Sequence, residues 1–192
     1  MAFIANTAFE ARITNNEFDN LANITGKYYV STTATDCSAG LLCVRGDNLD
    51  CEGFSGVKNE NAFKMTAAAA TVKATDGVFA CNTYDTKKIN GYYFGTETLG
   101  LGVPADDYGT FTRINFDGES VYRFGEGNID GEVGAKTVFS IKDGLLKPES
   151  AVPTTANTPY FTLRGTGNFT EGTSTSFAYY DVVACKTVVA TA

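Results

Sequence analysis

Five dipeptides, Asp76-Gly77, Asn90-Gly91, Asp117-Gly118, Asp130-Gly131 and Asp143-Gly144, constrain this chain more than any other feature. An Asx-Gly pair supplies the positive φ angles that a type I′ turn requires, and each pair sits between apolar or aromatic runs. Such pairs predict hairpins. Three of them recur thirteen residues apart, at 117, 130 and 143. That is close to the turn spacing of an antiparallel sheet with strands of about 5–8 residues.

The runs between the turns read accordingly. Phe79-Ala80-Cys81, Tyr92-Tyr93-Phe94, Ile114-Asn115-Phe116, Val121-Tyr122-Arg123-Phe124 and Val138-Phe139-Ser140-Ile141 are aromatic or β-branched, partly alternating, and too short for helices. Residues 27–31, 41–44, 160–164 and 177–183 predict further strands. Helix is expected only at 16–23, where Phe18 and Leu21 share a face, and at 63–73, where four alanines at 67–70 raise helix propensity. The expected fold is mainly β: an antiparallel, hairpin-rich sandwich or barrel-like domain with one or two short helices and an extended N-terminal arm. Residues 1–26, apolar without strict period, read as that arm, lying on another surface. Residues 27–192 read as one domain. The Pro-containing stretch 147–158 would be a connection, and 159–192 would complete the sheet or form a small appendage.

Composition removes whole classes of chemistry. The 192 residues include no His and no Trp. Without imidazole there is no Ser-His-Asp or Cys-His nucleophile, no His-bearing zinc site and no histidine acid or base. With 15 Lys+Arg against 22 Asp+Glu, the net charge of −7 repels phosphate, so nucleic acid is not an expected partner. A membrane is not expected either, since the apolar stretch 182–192 is short and broken by Lys186. The start, MAFIANTAFEARI, has no basic region and no continuous apolar run, so it does not read as a signal peptide. Cys37, Cys43, Cys51, Cys81 and Cys185 form no CxxC pair and read as reduced thiols packed as small apolar side chains. The clustering of Cys37, Cys43 and Cys51 leaves a metal site or a 43–51 disulfide as the alternative.

Several motifs compete with plainer readings. Arg45-Gly46-Asp47 is the integrin-binding tripeptide, yet in a Gly-rich chain it reads as a turn. Glu126, Asn128 and Asp130 followed by Gly131 copy the odd-position ligands and sixth-position glycine of a calcium loop. Position twelve, however, falls on Thr137, so solvated acids on a turn are the expectation. The acidic groups Asp106-Asp107, Asp117 with Glu119, and Asp47 with Asp50 and Glu52 would serve a carboxylate-based hydrolase only if two of them met in a cleft. No cofactor motif stands: Gly100-Leu101-Gly102 is followed by Pro104 where a helix should open.

The pairs Tyr28-Tyr29, Tyr92-Tyr93 and Tyr179-Tyr180 are more informative. Adjacent strand residues face opposite ways, so each pair puts one ring in the core and one on the other face. The outward rings, together with Phe3, Ile4 and Phe9 of the arm, are the expected contact residues.

The run DGVFACNTYDTKKINGYYFGTETLGLGVPADDYGTFTRINFDGESVYRFGEGN, residues 76–128, resembles segments of virion structural proteins of tailed bacteriophages, in the style of small capsid-associated or decoration proteins. The resemblance implies a protein made in the host cytoplasm that binds the outside of a capsid, often as a trimer, and stiffens it. Its partner would be the major capsid protein or another virion protein, its location the virion, and it would have no enzymatic activity and no cofactor. A fibre or tail domain, or another carbohydrate- or receptor-binding β module, is the alternative.

Overall fold

A computed structural model describes residues 3–13, 23–82, 88–89, 92–93, 102–105, 107–171 and 175–188. Within them the chain runs through β1 (Phe9–Ile13), β2 (Asn23–Val30), β3 (Thr33–Ala34), β4 (Leu42–Cys51), β5 (Phe54–Ala67), β6 (Val78–Cys81), β7 (Lys88–Ile89) and β8 (Tyr92–Tyr93). It continues through β9 (Gly109–Arg113), β10 (Val121–Gly125), β11 (Val138–Lys142), β12 (Leu145–Glu149), β13 (Pro159–Glu171) and β14 (Thr175–Lys186). Among the described residues, helix is limited to two three-residue 3-10 turns, Ala74–Asp76 and Glu126–Asn128. The protein is mainly β, as its turns and strand runs imply.

The strands form two larger sheets of different kinds. One is open and antiparallel, in the order β1-β10-β14-β13-β11-β12. The other places β2, β5, β4, β6 and β9 side by side, and β9 pairs back onto β2 through Ile24↔Phe111 and Gly26↔Gly109. Five strands thereby close into a small barrel, with β3 folded onto the end of β2. Only β2 and β5 run parallel within it.

Alternation along β4 and β6 separates two cores. Cys43, Phe79 and Cys81 turn into the barrel and meet Tyr28, Met65 and Phe111. Leu42, Val78 and Ala80 turn outward and meet Phe139, Leu146 and Phe161 of the open sheet. Both faces of β6 are therefore covered, which is why its sequence, VFAC, is an unbroken apolar run buried at every position. The barrel interior is tight. A Cβ on Gly26 would stand 2.6 Å from Met65 Cγ, and one on Gly109 would overlap the Val103 side chain, so the closing pair is glycine on both strands.

The Asx-Gly pairs supply positive φ at Gly77, Gly118, Gly131 and Gly144, yet only one of these four joins hairpin partners. Asp143 and Gly144, at φ 52° and 81°, link β11 directly to β12 in the type I′ manner. Asp76-Gly77 ends a 3-10 turn, Asp117-Gly118 carries the chain from the barrel to the open sheet, and Asp130-Gly131 lies in the connection to β11. Asn90-Gly91 lies outside the described residues, although Ile89 and Tyr92 pair on either side of it. The tight turns at Ser31-Thr32 and Glu52-Gly53 carry no such signature.

Other expectations change as well. Residues 63–67 end β5 instead of opening a helix, because β5 is paired with both β2 and β4 there, and ladder bonding on two sides overrides alanine propensity. The helix expected at 16–23 falls outside the described residues up to Asn23, which opens β2. Ile114 and Phe116 are buried core residues beyond the end of β9. Where the arm is described it is part of the fold: β1 edges the open sheet, and the Phe9 ring stacks on Tyr122 at 6.0 Å. β13 and β14 lie in the middle of the open sheet. Among the described residues no helix is long and apolar enough to cross a membrane.

Candidate functional site

β4 and β5 are 10 and 14 residues long, and their pairing slips between Arg45 and Asn48, between Asn48 and Asp50, and between Asp50 and Cys51. Such irregularities bend a ribbon and strengthen its twist. The outer part of the hairpin is mostly exposed, while Leu49 and Ala62 at its base are buried. Near the tip stand Phe54, 66% exposed, and Val57, 54% exposed. An aromatic and a branched aliphatic held outward on a hydrogen-bonded ribbon are contact groups that lose little conformational freedom on binding. The alternating pattern that marks a half-buried strand is absent there, so sequence reasoning does not single them out.

Beneath the ribbon lies a hollow of about 410 Å³, bounded by Lys27, Tyr29 and Lys64 on the barrel wall and by Asp50 and Lys58 on the ribbon. Tyr108 and Glu52 separate it from a second hollow of about 310 Å³, walled by Thr25, Asn59 and Asn61. Lys27 and Lys64 are register partners on neighbouring strands. The Lys27 ammonium lies 4.4 Å from the Tyr108 ring centre and that of Lys64 5.3 Å from the Tyr29 ring. Lys58 Nζ donates to Asp50 Oδ1 at 2.6 Å, and the Gly56 amide donates to Oδ2 at 3.3 Å. These bonds, the lysine's first, hold the Asp50 carboxyl below its ordinary value. Arg45-Gly46-Asp47 lies within β4 instead of forming a turn, with the Arg45 guanidinium 4.8 Å from the Phe63 ring centre.

Among the described side chains, the tyrosines of the pairs do not gather into one bare surface. Tyr28 is buried in the barrel, where desolvation first and the nearby Cys43 and Cys37 next push its phenol up to about 12. Phe9 is likewise core, so neither is available for surface contact. Tyr29 lies beneath Lys64, and Tyr180 packs on Phe139 at 6.4 Å between ring centres. Tyr179 is covered by the Arg123 guanidinium at 3.6 Å. That arginine also makes two parallel bonds to Asp181, 2.8 and 2.9 Å, and lies 3.7 Å from Glu10, tying β1, β10 and β14 on the outer face. Phe3 is half-buried, and Ile4 is exposed while its amide donates to Ser38 Oγ at 2.9 Å. The side chains of Tyr92 and Tyr93 lie outside the described residues.

The calcium pattern is dispersed by its own bonds. Glu126 accepts from Asn6 Nδ2 and the Ala178 amide. Asp130 accepts from Lys142 Nζ at 2.9 Å. Asn128, 1% exposed, accepts at Oδ1 from the amides of Ala8 (3.0 Å) and Gly125 (3.1 Å) and donates from Nδ2 to the Ala39 carbonyl (2.8 Å). Its amide is a structural knot between the N-terminal segment and the two sheets.

The acids expected in turns are spent similarly. Asp117 accepts from the amides of Glu119 and Ser120 and from the Ser120 hydroxyl, closing its loop. Asp106 lies outside the described residues. All five cysteines are free thiols. Cys43 and Cys51 sit eight residues apart along β4, roughly 25 Å for an extended strand, so no 43–51 disulfide can form. Cys37, Cys43 and Cys81 come together inside the barrel. Burial first, then the two neighbouring thiols, pushes the Cys37 thiol well above its ordinary value. Among the described residues no group of three or more Cys, Asp or Glu is placed to hold a metal ion.

Compared with known proteins, the chain matches no family model, no curated protein and no solved structure.

Proposed function

We propose that the protein is a non-enzymatic virion structural component, a capsid decoration protein that docks on the outer surface of a phage head and stiffens it. The observation that carries the docking part of this reading is the bent β4–β5 ribbon with Phe54 and Val57 exposed near its tip. A closed barrel at its base keeps the ribbon's position defined, so few degrees of freedom are lost on binding. Two apolar side chains of this size contribute about 1.5–3 kcal/mol each when fully buried. Several copies on a symmetric shell would multiply that effect. The resemblance of residues 76–128 to phage virion proteins supports the capsid as the partner. The net charge of −7 suits an exterior position over the DNA-filled interior.

Co-sedimentation with capsids assembled without the protein tests this. The wild type is expected to pellet with them at micromolar concentration, and Phe54→Ser/Val57→Ser is expected to bind at least tenfold more weakly. Absence of wild-type binding overturns the capsid assignment, and unchanged binding of the double variant overturns the role of the ribbon tip.

A further inference from the structure

We propose that Cys37 and Cys81 form a redox-dependent staple inside the barrel: free thiols when the chain folds in a reducing medium, a disulfide when it folds in the presence of a low-molecular-weight disulfide such as oxidised glutathione. The device is separate from the ribbon tip and does not depend on the docking role given to Phe54 and Val57.

Both backbones are held in place while the thiols are still free. Cys37 is bridged to Val103 in both directions, its amide donating at 2.8 Å and its carbonyl accepting at 2.7 Å. Cys81, at the end of β6, donates to the Leu41 carbonyl at 3.0 Å and accepts from the Gly40 amide at 2.8 Å. The Cys81 thiol donates to the Cys37 carbonyl at 3.7 Å. Cys37, Cys43 and Cys81 are each 0% exposed, and the thiol of Cys37 neighbours both of the others. Cys43 lies opposite Phe79 in the β4–β6 ladder, which makes it a diagonal neighbour of Cys81. Backbones in that relation stand about 7–8 Å apart, beyond the reach of a disulfide. Cys37 is therefore a member of any bond within the cluster.

Of its two neighbours, Cys81 is the favoured partner. A Cys37–Cys43 bond would span little more than the turn in which the Leu41 amide donates to the Ser38 carbonyl. A Cys37–Cys81 bond joins the segment ahead of β4 to β6 and removes far more freedom from the unfolded chain. Burial disfavours the thiolate and excludes a tripeptide from the closed barrel, so the exchange takes place while the barrel is open. The Cys81 thiolate attacks one sulfur of oxidised glutathione and one glutathione thiolate leaves. The Cys37 thiolate then attacks the Cys81 sulfur of the mixed disulfide and releases the second. The two cysteines give up two electrons and two protons, and glutathione takes them up as two thiols.

The test is refolding of the full chain from urea with reduced and oxidised glutathione, in a Cys51→Ser/Cys185→Ser background that removes the two partly exposed thiols. Mass spectrometry with fragmentation is expected to find an internal bond between Cys37 and Cys81 and a free Cys43. The oxidised form should melt about 5–15 °C above the same protein refolded with dithiothreitol, and dithiothreitol in urea should abolish the difference. Adding Cys43→Ser should retain both the bond and the shift, whereas adding Cys37→Ser or Cys81→Ser should remove both. Melting of each reduced variant checks that it folds, and the fragment assignment stands without them. Glutathione adducts with no internal bond, a bond between another pair, loss of the bond in the Cys43→Ser chain, or an oxidised form that melts no higher than the reduced one would overturn the proposal.

Discussion

Replacing Asn128 with alanine removes the one side chain that serves three backbone groups at the meeting of the N-terminal segment with both sheets. The Ala8 amide loses its acceptor and the Ala39 carbonyl its donor, while the Gly125 amide keeps a second bond to the Ala8 carbonyl at 3.2 Å. Two buried polar groups are thus orphaned, each costing about 1–3 kcal/mol, so the expected loss is about 4 kcal/mol. Against a total stability of about 5–15 kcal/mol that is a large fraction. Urea unfolding reads it directly: with an m-value of about 2 kcal/mol/M, the midpoint should fall by about 2 M. Asn128→Asp supplies the control. Its carboxylate would face the Ala39 carbonyl in a buried site, raising its folded pKa above that of the unfolded chain. The deficit relative to wild type is then full at neutral pH and shrinks as pH falls toward 4, where the neutral acid can donate to the carbonyl. A loss below about 1 kcal/mol in Asn128→Ala, or an Asn128→Asp deficit independent of pH, would refute the assignment of Asn128 as a knot.

Three further outcomes follow from the geometry. Gly109→Ala should cost about 1–3 kcal/mol by overpacking against Val103, and a Val103→Ala second change should recover part of it. Strictly additive costs in thermal unfolding would contradict that contact. For Asp117, burial alone would raise the carboxyl, but the Ser120 and Glu119 amides and the Ser120 hydroxyl outweigh it and hold the group below its ordinary value of 3.8. A depressed folded pKa stabilises above the unfolded value and is lost as pH falls through the folded one. Asp117→Asn should therefore flatten the acid limb of the stability curve below about pH 4, and an unaltered limb would count against the loop bonds. In the native protein, Ellman's reagent should modify Cys51 and Cys185, the two partly exposed thiols, and reach Cys37, Cys43 and Cys81 only on unfolding. Fast labelling of a third thiol would contradict the closed barrel.

Much of the local structure is legible in the residues. Asp143-Gly144 makes the type I′ hairpin that its dipeptide specifies, and strands at 27–30, 121–124, 138–141 and 177–183 follow their aromatic and β-branched runs. Misreadings occur where distant pairing outweighs local preference. The alanines at 67–70 favour helix, but Phe63 is ladder-paired with Gly26 and Asn48, so the chain stays extended through Ala67. Glu126, Asn128 and Asp130 imitate a calcium loop because ligand spacing is a one-dimensional property. Their actual partners, Ala178, Ala39 and Lys142, come from other parts of the chain. The hollow was not legible because Lys27, Asp50, Lys64 and Tyr108 converge only after the ribbon bends.

Residue chemistry alone determines that this chain is β-rich and takes positive φ at Gly77, Gly118, Gly131 and Gly144 of its Asx-Gly pairs, because positive φ and strand preference are settled within a few residues. It also excludes histidine chemistry outright. Tertiary structure decides that β2 joins β9 to close a barrel, that Cys37, Cys43 and Cys81 meet inside it, and that Asn128 becomes a knot instead of a ligand. Those outcomes rest on pairings tens of residues apart, and such a pairing holds only where burial and ladder bonding outweigh the entropy of closing the intervening loop.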